Sequence, residues 1–271
     1  MVEAVLHSAG IFKKLIDSIK DLVSDCTLAC TRNGIRMQAM DASHISLVSM
    51  QLNSTGFQQY KCSKKFNLGV NLVSLAKLLK CAGANDSMKI KASPHNDTLS
   101  LSFTNPDESI ISQFEMKLID ISEETVSLPA ENNVCIAKIP SGEYQKICRD
   151  LLTMGEDVRI QASPRKITFS SFGQIGSGGF TLQQNIEDEN SKISIITDEK
   201  IDLTFTLKYL NLFAKAGPLC DFVTLYLSPK SPLMVEFTMG QLGFIRYYLA
   251  PKVDEANESD DEDDDKDMKQ D

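Results

Sequence analysis

Histidine is scarce in this sequence; His7, His44 and His95 are the only three. The seven cysteines (Cys26, Cys30, Cys62, Cys81, Cys135, Cys148 and Cys220) form no CxxC pair and no even framework. No His/Cys group has the spacing of a metal site, so neither a metal nor a cofactor is expected. No apolar run reaches the ~18 residues of a membrane helix. The opening MVEAVLHSAG lacks the apolar core of a secretion signal. A reducing, intracellular compartment with no membrane partner is the expectation. The run GQIGSGG (173–179) is rich in glycine but lacks the GK[ST] ending of a phosphate cradle. It reads as a turn into an edge strand. Asp41, Ser43 and His44 supply the residue types of a hydrolytic triad, with no nucleophile elbow to carry them. Nothing here suggests an enzyme.

What the chain does have is a segregated charge. Its formal net charge is -9 over 271 residues. Residues 254–271 hold eleven acids and two lysines, which accounts for all of it. The remaining 253 residues are balanced, with 26 basic and 26 acidic side chains. Within that neutral body the stretch IFKKLIDSIKDLV (11–23) sets the pattern. At 3.6 residues per turn Phe12, Leu15, Ile16, Ile19, Leu22 and Val23 share one face, and Lys13, Asp17 and Lys20 the other, with Lys14 on the flank. The same design returns in NLVSLAKLLKCAG, SGEYQKICRDLL and TLKYLNLFAKAG. These four helical windows carry Lys13, Lys14, Lys20, Lys77, Lys80, Lys146, Arg149, Lys208 and Lys215 against Asp17, Glu143 and Asp150. An overall pI of 5.0 argues against a nucleic-acid partner; this local excess of cations reverses that reading.

Between the helices lie strand-like runs. MVEAVLH, CTLACT, GIRMQAMD, ISLVSMQLN, MKIKAS, TLSLSF and IISQFEMKL alternate or are rich in apolar residues, and turn residues divide them. Ile35, Met37 and Ala39 should face inward and Arg36 and Gln38 outward, as in a half-buried antiparallel strand. Ile119 to Glu131 has no period, contains Pro129 and reads as a connector. Beyond it the pattern starts again. A shift of 132 lays Phe12 on Tyr144, Lys14 on Lys146, Leu15 on Ile147, Ile16 on Cys148, Ile19 on Leu151, Ile35 on Ile167 and Ala39 on Ser171. A shift of 135 lays Leu72 on Leu207, Leu75 on Leu210 and Lys80 on Lys215, and 134 lays Leu99, Leu101 and Phe103 on Leu233, Val235 and Phe237.

The expected fold is therefore α+β: two similar domains at 1–117 and 135–253, a connecting loop at 118–134 and an acidic disordered tail at 254–271. Each domain has antiparallel sheets and two helices whose basic faces share one side. SIISQFEMKL and GGFTLQQN read as long, fairly apolar strands near the two ends. Joining one end to the other is heterologous and can close into a ring with the basic helices lining its hole. Lysine outnumbers arginine eight to one in the helical windows. Such contacts hold phosphates without reading bases and favour sliding.

Several long segments carry a resemblance: MQAMDASHISLV, LGVNLVSLAKLLKCAG, FEMKLIDI, IPSGEYQKICRDL, LTFTLKYLNLFAKAGPL and YYLAPK. From Met1 to Lys252 the chain resembles the eukaryotic sliding clamps of the proliferating cell nuclear antigen family. The resemblance implies a nuclear homotrimeric ring around duplex DNA, acting as a polymerase processivity factor. It also implies docking of a clamp loader, polymerase, nuclease and ligase through short peptides. Family DNA-facing residues match Lys13, Lys14, Lys20, Lys77, Lys80, Lys146, Arg149 and Lys215; Lys208 is added from the helix pattern. The family's peptide pocket matches Met40, His44, Ile45, Leu47, Val126, Leu128, Pro129, Pro232, Tyr248, Ala250 and Pro251. The expected subunit interface is Cys81, Ile111, Phe114, Met116, Lys117, Ile175, Gly178, Phe180 and Leu182.

Some positions depart from the family. Its ubiquitin-accepting lysine falls on Pro164, beside Arg165 and Lys166, and its interface tyrosine is Phe114. Val126 and Asn133 are small for their places, and the tail is long and acidic. The alternatives are a subunit of a checkpoint-type or hetero-oligomeric clamp, and a peptide-binding scaffold that never encircles DNA.

Overall fold

The structure is a computed structural model that describes residues 1–94, 96–121, 133–185, 192–229 and 231–252. Its first half runs β1 (Val2–Leu6), α1 (Ala9–Ile19), β2 (Asp25–Thr31), β3 (Gly34–Met40), β4 (Ser46–Asn53), β5 (Gln59–Cys62), β6 (Phe66–Asn71), α2 (Leu72–Leu79), β7 (Ser87–Ala92), β8 (Thr98–Thr104) and β9 (Ile111–Lys117). The second half repeats this order: β10 (Cys135–Pro140), α3 (Ser141–Leu152), β11 (Asp157–Ser163), β12 (Lys166–Gly173), β13 (Gly176–Gln183), β14 (Ser194–Thr197), β15 (Ile201–Thr206), α4 (Leu207–Phe213), β16 (Phe222–Ser228), β17 (Ser231–Thr238) and β18 (Gly243–Leu249). β5 has no counterpart among the strands expected from the sequence; its short QYKC run is too brief to show a period.

All observed strand pairing is antiparallel, in three sheets. One has the order β5-β1-β7-β8-β9 and another β13-β12-β11-β15. The third has nine strands, β14-β10-β16-β17-β18-β4-β3-β2-β6. It is the second-half equivalent of the first sheet joined to the first-half equivalent of the second. The seam is β18 on β4, with Tyr247 opposite Val48 and Ile245 opposite Met50. A continuous sheet thus runs from one half of the chain into the other.

The helices bury the faces that the sequence repeat aligns. Phe12, Leu15, Ile16 and Ile19 of α1 are buried, as are Tyr144, Ile147, Cys148 and Leu151 of α3. Leu72, Leu75 and Leu79 of α2 and Leu207, Leu210 and Phe213 of α4 do the same. Side chains from both sheets and both helices, among them Phe12, Leu28, Leu75 and Ile90, surround one small void in the first half. Each such apolar residue, taken out of water, stabilises by about 1.5–3 kcal/mol.

Helix lengths differ from the periodicity. α1 stops at Ile19, and the amides of Leu22 and Val23 both turn back to the Ile19 carbonyl. Val23 is buried and Leu22 half-buried beyond the helix rather than on it. α2 has eight residues and α4 seven, so they span roughly 12 Å and 10 Å, not the ~18 Å of a twelve-residue helix. After α4 the chain tightens into a 3-10 turn, Ala214–Leu219, where Pro218 cannot continue an α-helix. Side-chain caps hold two starts: Ser8 accepts from the Gly10 amide and Asn71 from the Ser74 amide.

Candidate nucleic-acid interface and docking surfaces

The helices form one connected layer across both halves. α1 packs against α2 on one side and against α4 and the Ala214–Leu219 turn on the other, and α3 packs against α4 and the same turn. Tyr247 of β18 donates to Ser18 Oγ of α1 at 3.0 Å, and its ring stacks on Phe213 at 4.6 Å. Helix layer and sheet seam are thereby locked together.

Every basic residue singled out in the sequence lies on this layer. Lys14, Lys77, Lys80, Lys146, Arg149, Lys208 and Lys215 are exposed, and Lys13 and Lys20 are half-buried. Not all sit on helices. Lys20 and Lys80 occupy the C-caps of α1 and α2, and Lys215 lies on the 3-10 turn. The layer also holds acids. Asp21 receives Lys215 Nζ at 2.5 Å and Lys20 Nζ at 3.4 Å. The Lys215 hydrogen bond holds the Asp21 carboxyl below its ordinary value, with Lys20 adding to the effect. Lys20 also lies 3.5 Å from Asp17, and Arg149 donates to Asp150 at 3.2 Å.

The opposite, outward face carries a second apolar cluster, separate from the main core. Leu47, Met234 and Tyr248 are buried there, with Met40 and Tyr226 packed on them. They are cross-strand neighbours in register: Met40 faces Leu47, Leu47 faces Tyr248, Tyr248 faces Met234 and Met234 faces Tyr226. Alternate residues on these strands, such as Val48 and Tyr247, point into the main core. At the mouth Ile45 is 45% exposed, and its carbonyl accepts from the Ala250 amide at 3.4 Å. His44 is exposed and Pro232 and Pro251 are half-buried. The structure therefore brings Met40, His44, Ile45, Leu47, Tyr248 and Ala250 together. Val126, Leu128 and Pro129 lie outside the described residues. Met234 and Tyr226 were not anticipated; alternation marks them as outward, but only the strand order makes them neighbours of Met40.

The loop that presents His44 is organised by Asp41. Its carboxylate accepts from the amides of Ser43, Ile45 and Ser46 at 2.7–3.0 Å and from the Tyr209 hydroxyl at 2.9 Å. Burial pushes this carboxyl up, but those donors outweigh it and hold it below the usual range. Burial and the bond to Asp41 push the Tyr209 phenol up. The Asp41 carboxylate is thus spent on loop structure.

The connector leaves β9 along the open edge of β6. Ile119 donates to the Gly69 carbonyl at 2.9 Å, and a Cβ on Gly69 would lie 1.9 Å from the Ile119 oxygen, so glycine is required for this approach.

The strands expected at the subunit interface are both sheet edges. β9 closes one end of the five-stranded sheet and β13 one end of the four-stranded sheet. Ile111 and Lys117 are exposed, Phe114 is half-buried against Phe103, and Met116 is buried within its own chain. Ile175 is 74% exposed in the turn before β13, while Gly178, Phe180 and Leu182 are half-buried. Phe172, at 81% exposure beside that turn, was not anticipated. Cys81 is the one exposed thiol; burial raises Cys26, Cys30 and Cys148 to about 12 and Cys135 to about 11.

Two family models cover this architecture. Residues 1–125 match the N-terminal domain of proliferating cell nuclear antigen, and residues 127–252 match its C-terminal domain. The chain belongs to the proliferating cell nuclear antigen family. Its antiparallel sheets and few helices are the DNA clamp fold of that family, and the chain is a member of the DNA sliding clamps. Proteins of this family are non-catalytic, act on DNA in replication and repair, assemble into oligomers and take protein partners. No described helix is long and apolar enough to cross a membrane.

Proposed function

We propose that three copies of this chain close head to tail into a ring around duplex DNA. The ring slides, keeps a polymerase on its template, and docks a clamp loader, nuclease and ligase by short peptides on its outer face in the nucleus. One observation carries the reading: the seam inside the chain is a template for a seam between chains.

Each element of the first half has a counterpart in the second, so β4 corresponds to β13 and β9 to β18. The observed pair, β18 on β4, then corresponds to β9 on β13, each a terminal strand of its own sheet. The register follows. Val48 pairs with Ala39, Ala39 falls on Ser171 in the repeat, and Ser171 pairs with Gly178. Tyr247 pairs with Val235, Val235 falls on Leu101, and Leu101 pairs with Phe114. Tyr247 faces Val48, so Phe114 should face Gly178 of the next copy. The helices agree: α1 against α4 within the chain corresponds to α3 against α2 between copies. Ala216, fully buried at the first contact, falls on Cys81, exposed in the single chain.

Such a repeat gives every subunit two different ends, and rotation by one repeat closes the circle. The helix layer, with its nine basic groups, then lines the hole. Contacts to phosphates alone bind without sequence preference.

The test is topological. The protein loaded on a nicked circular DNA should remain bound in moderate salt and slide off once the circle is cut. It should stimulate polymerase on a circular primed template. Replacing Lys20, Lys77 and Arg149 with Glu should abolish both while leaving the oligomer intact. Equal retention on circular and linear DNA would reject encirclement.

A further inference from the structure

Tyr209 and Asp41 form a bond that the internal repeat does not explain. Their counterparts in the other halves are Ser74 and Gly173, which can make no such contact. The β3–β4 loop also has five residues, Asp41–Ile45, whereas β12 and β13 are joined by Gln174 and Ile175 alone. Loop and bond are therefore additions to one seam, the one beside the outward apolar cluster.

The physical need for the bond is visible in the loop. His44 sits at φ 56°, a left-handed conformation that a non-glycine residue adopts only when its surroundings hold it there. What holds it is the Asp41 carboxylate, 6% exposed, with its three backbone donors, plus the His44 amide on the Asp41 carbonyl at 3.0 Å. The fourth donor, Tyr209, comes from α4 and is 8% exposed. It is the only one of the four that comes from outside the Asp41–Ser46 segment.

We propose that Tyr209 is a positioning residue for peptide docking: its hydroxyl fixes the Asp41 loop to the helix layer and so presents His44 and Ile45 at the mouth of the outer pocket. The assignment rests on the docking role proposed above. Tyr209 touches no peptide; it acts through Asp41. Without its hydroxyl the three amides keep the loop closed on itself, but only the 3.4 Å bond from the Ala250 amide to the Ile45 carbonyl still ties it to the pocket mouth, so it is held there less firmly.

The probe is a synthetic peptide with one aliphatic and two aromatic anchors on a single helical turn. Tyr209→Phe, which removes one oxygen atom, should weaken its binding about three- to ten-fold, mainly through faster dissociation. Hydrogen exchange at the Ser43, Ile45 and Ser46 amides should quicken, while oligomer mass and retention on circular DNA stay at the wild-type values. Asp41→Asn should weaken binding further, and adding Tyr209→Phe to it should change little, since both act through one contact. Wild-type binding retained within two-fold in Tyr209→Phe, or additive losses in the double variant, would overturn the assignment and leave the docking role standing. A wild-type chain that binds no such peptide would overturn both.

Discussion

Asp21 shows how a single residue can set the strength of a charged surface. It occupies Lys20 and Lys215 in the absence of DNA, so phosphates must compete with a carboxylate already in place. An exposed pair of this kind is worth at most about 1 kcal/mol. Asp21→Asn should therefore tighten DNA binding by up to about five-fold at low salt, read by fluorescence anisotropy, and the gain should shrink as salt rises. Unchanged or weaker binding would show that these lysines do not meet phosphate. Asp41 invites a second measurement. Its folded-state value lies below the ordinary 3.8, so its contribution to stability is fully present above that pH and is lost as pH falls through the lowered value. Urea midpoints of wild type should drop on acidification through that range, and Asp41→Asn should flatten that drop. Cys81 offers a third. A thiol reagent should label it in a dissociated chain and spare it in the proposed ring, because its counterpart Ala216 is buried at the matching contact inside the chain.

Among elements, the helices and most strands were legible in the sequence because each half of the fold buries one face and leaves the other wet. Period 3.6 marked α1 to α4, and alternation marked β3 with Ile35 and Met37 inside. Their ends were less legible. Nothing in IFKKLIDSIKDLV distinguishes Ile19, where the helix stops, from Val23, where burial stops. β5 was missed because four residues carry no period. The basic face was legible residue by residue, since nine cations recur at helical spacing. The outer cluster was legible only through the family resemblance. Met234 and Tyr226 join Met40 by strand order across a seam of two distant segments, which no local pattern records. The Tyr209–Asp41 bond spans 168 residues and was invisible for the same reason. That seam makes a stability prediction of its own. Tyr247→Phe removes a buried bond to Ser18 and should cost about 1 kcal/mol in chemical denaturation, without reaching the open edges β9 and β13.

At the scale of the whole molecule, the chain joins one pair of half-sheets and leaves the equivalent pair unjoined. The nine-stranded sheet joins two half-sheets at β18 on β4; the five- and four-stranded sheets are the equivalent halves left unjoined within the chain. Long terminal strands such as β9 and β13 present unpaired backbone groups that invite pairing with another chain. The proposed ring would cover both at once and gather the cations inside. The predicted register makes this testable with covalent chemistry: Phe114→Cys combined with Gly178→Cys should form a disulfide between copies under mild oxidation, because directly opposed residues have Cα atoms about 4.5–5.5 Å apart, within a disulfide's span. Gly178→Glu should break the ring while sparing the fold, since a Cβ there meets no backbone and asks only a small shift of Met154, whose Cγ lies 3.2 Å away. The most direct measurement is the mass in solution by light scattering. A closed ring predicts three times 30.0 kDa, constant over a wide range of concentration and falling to one chain in Gly178→Glu. A mass of a single chain for the unaltered protein, or one that grows steadily with concentration as in an open filament, would contradict it.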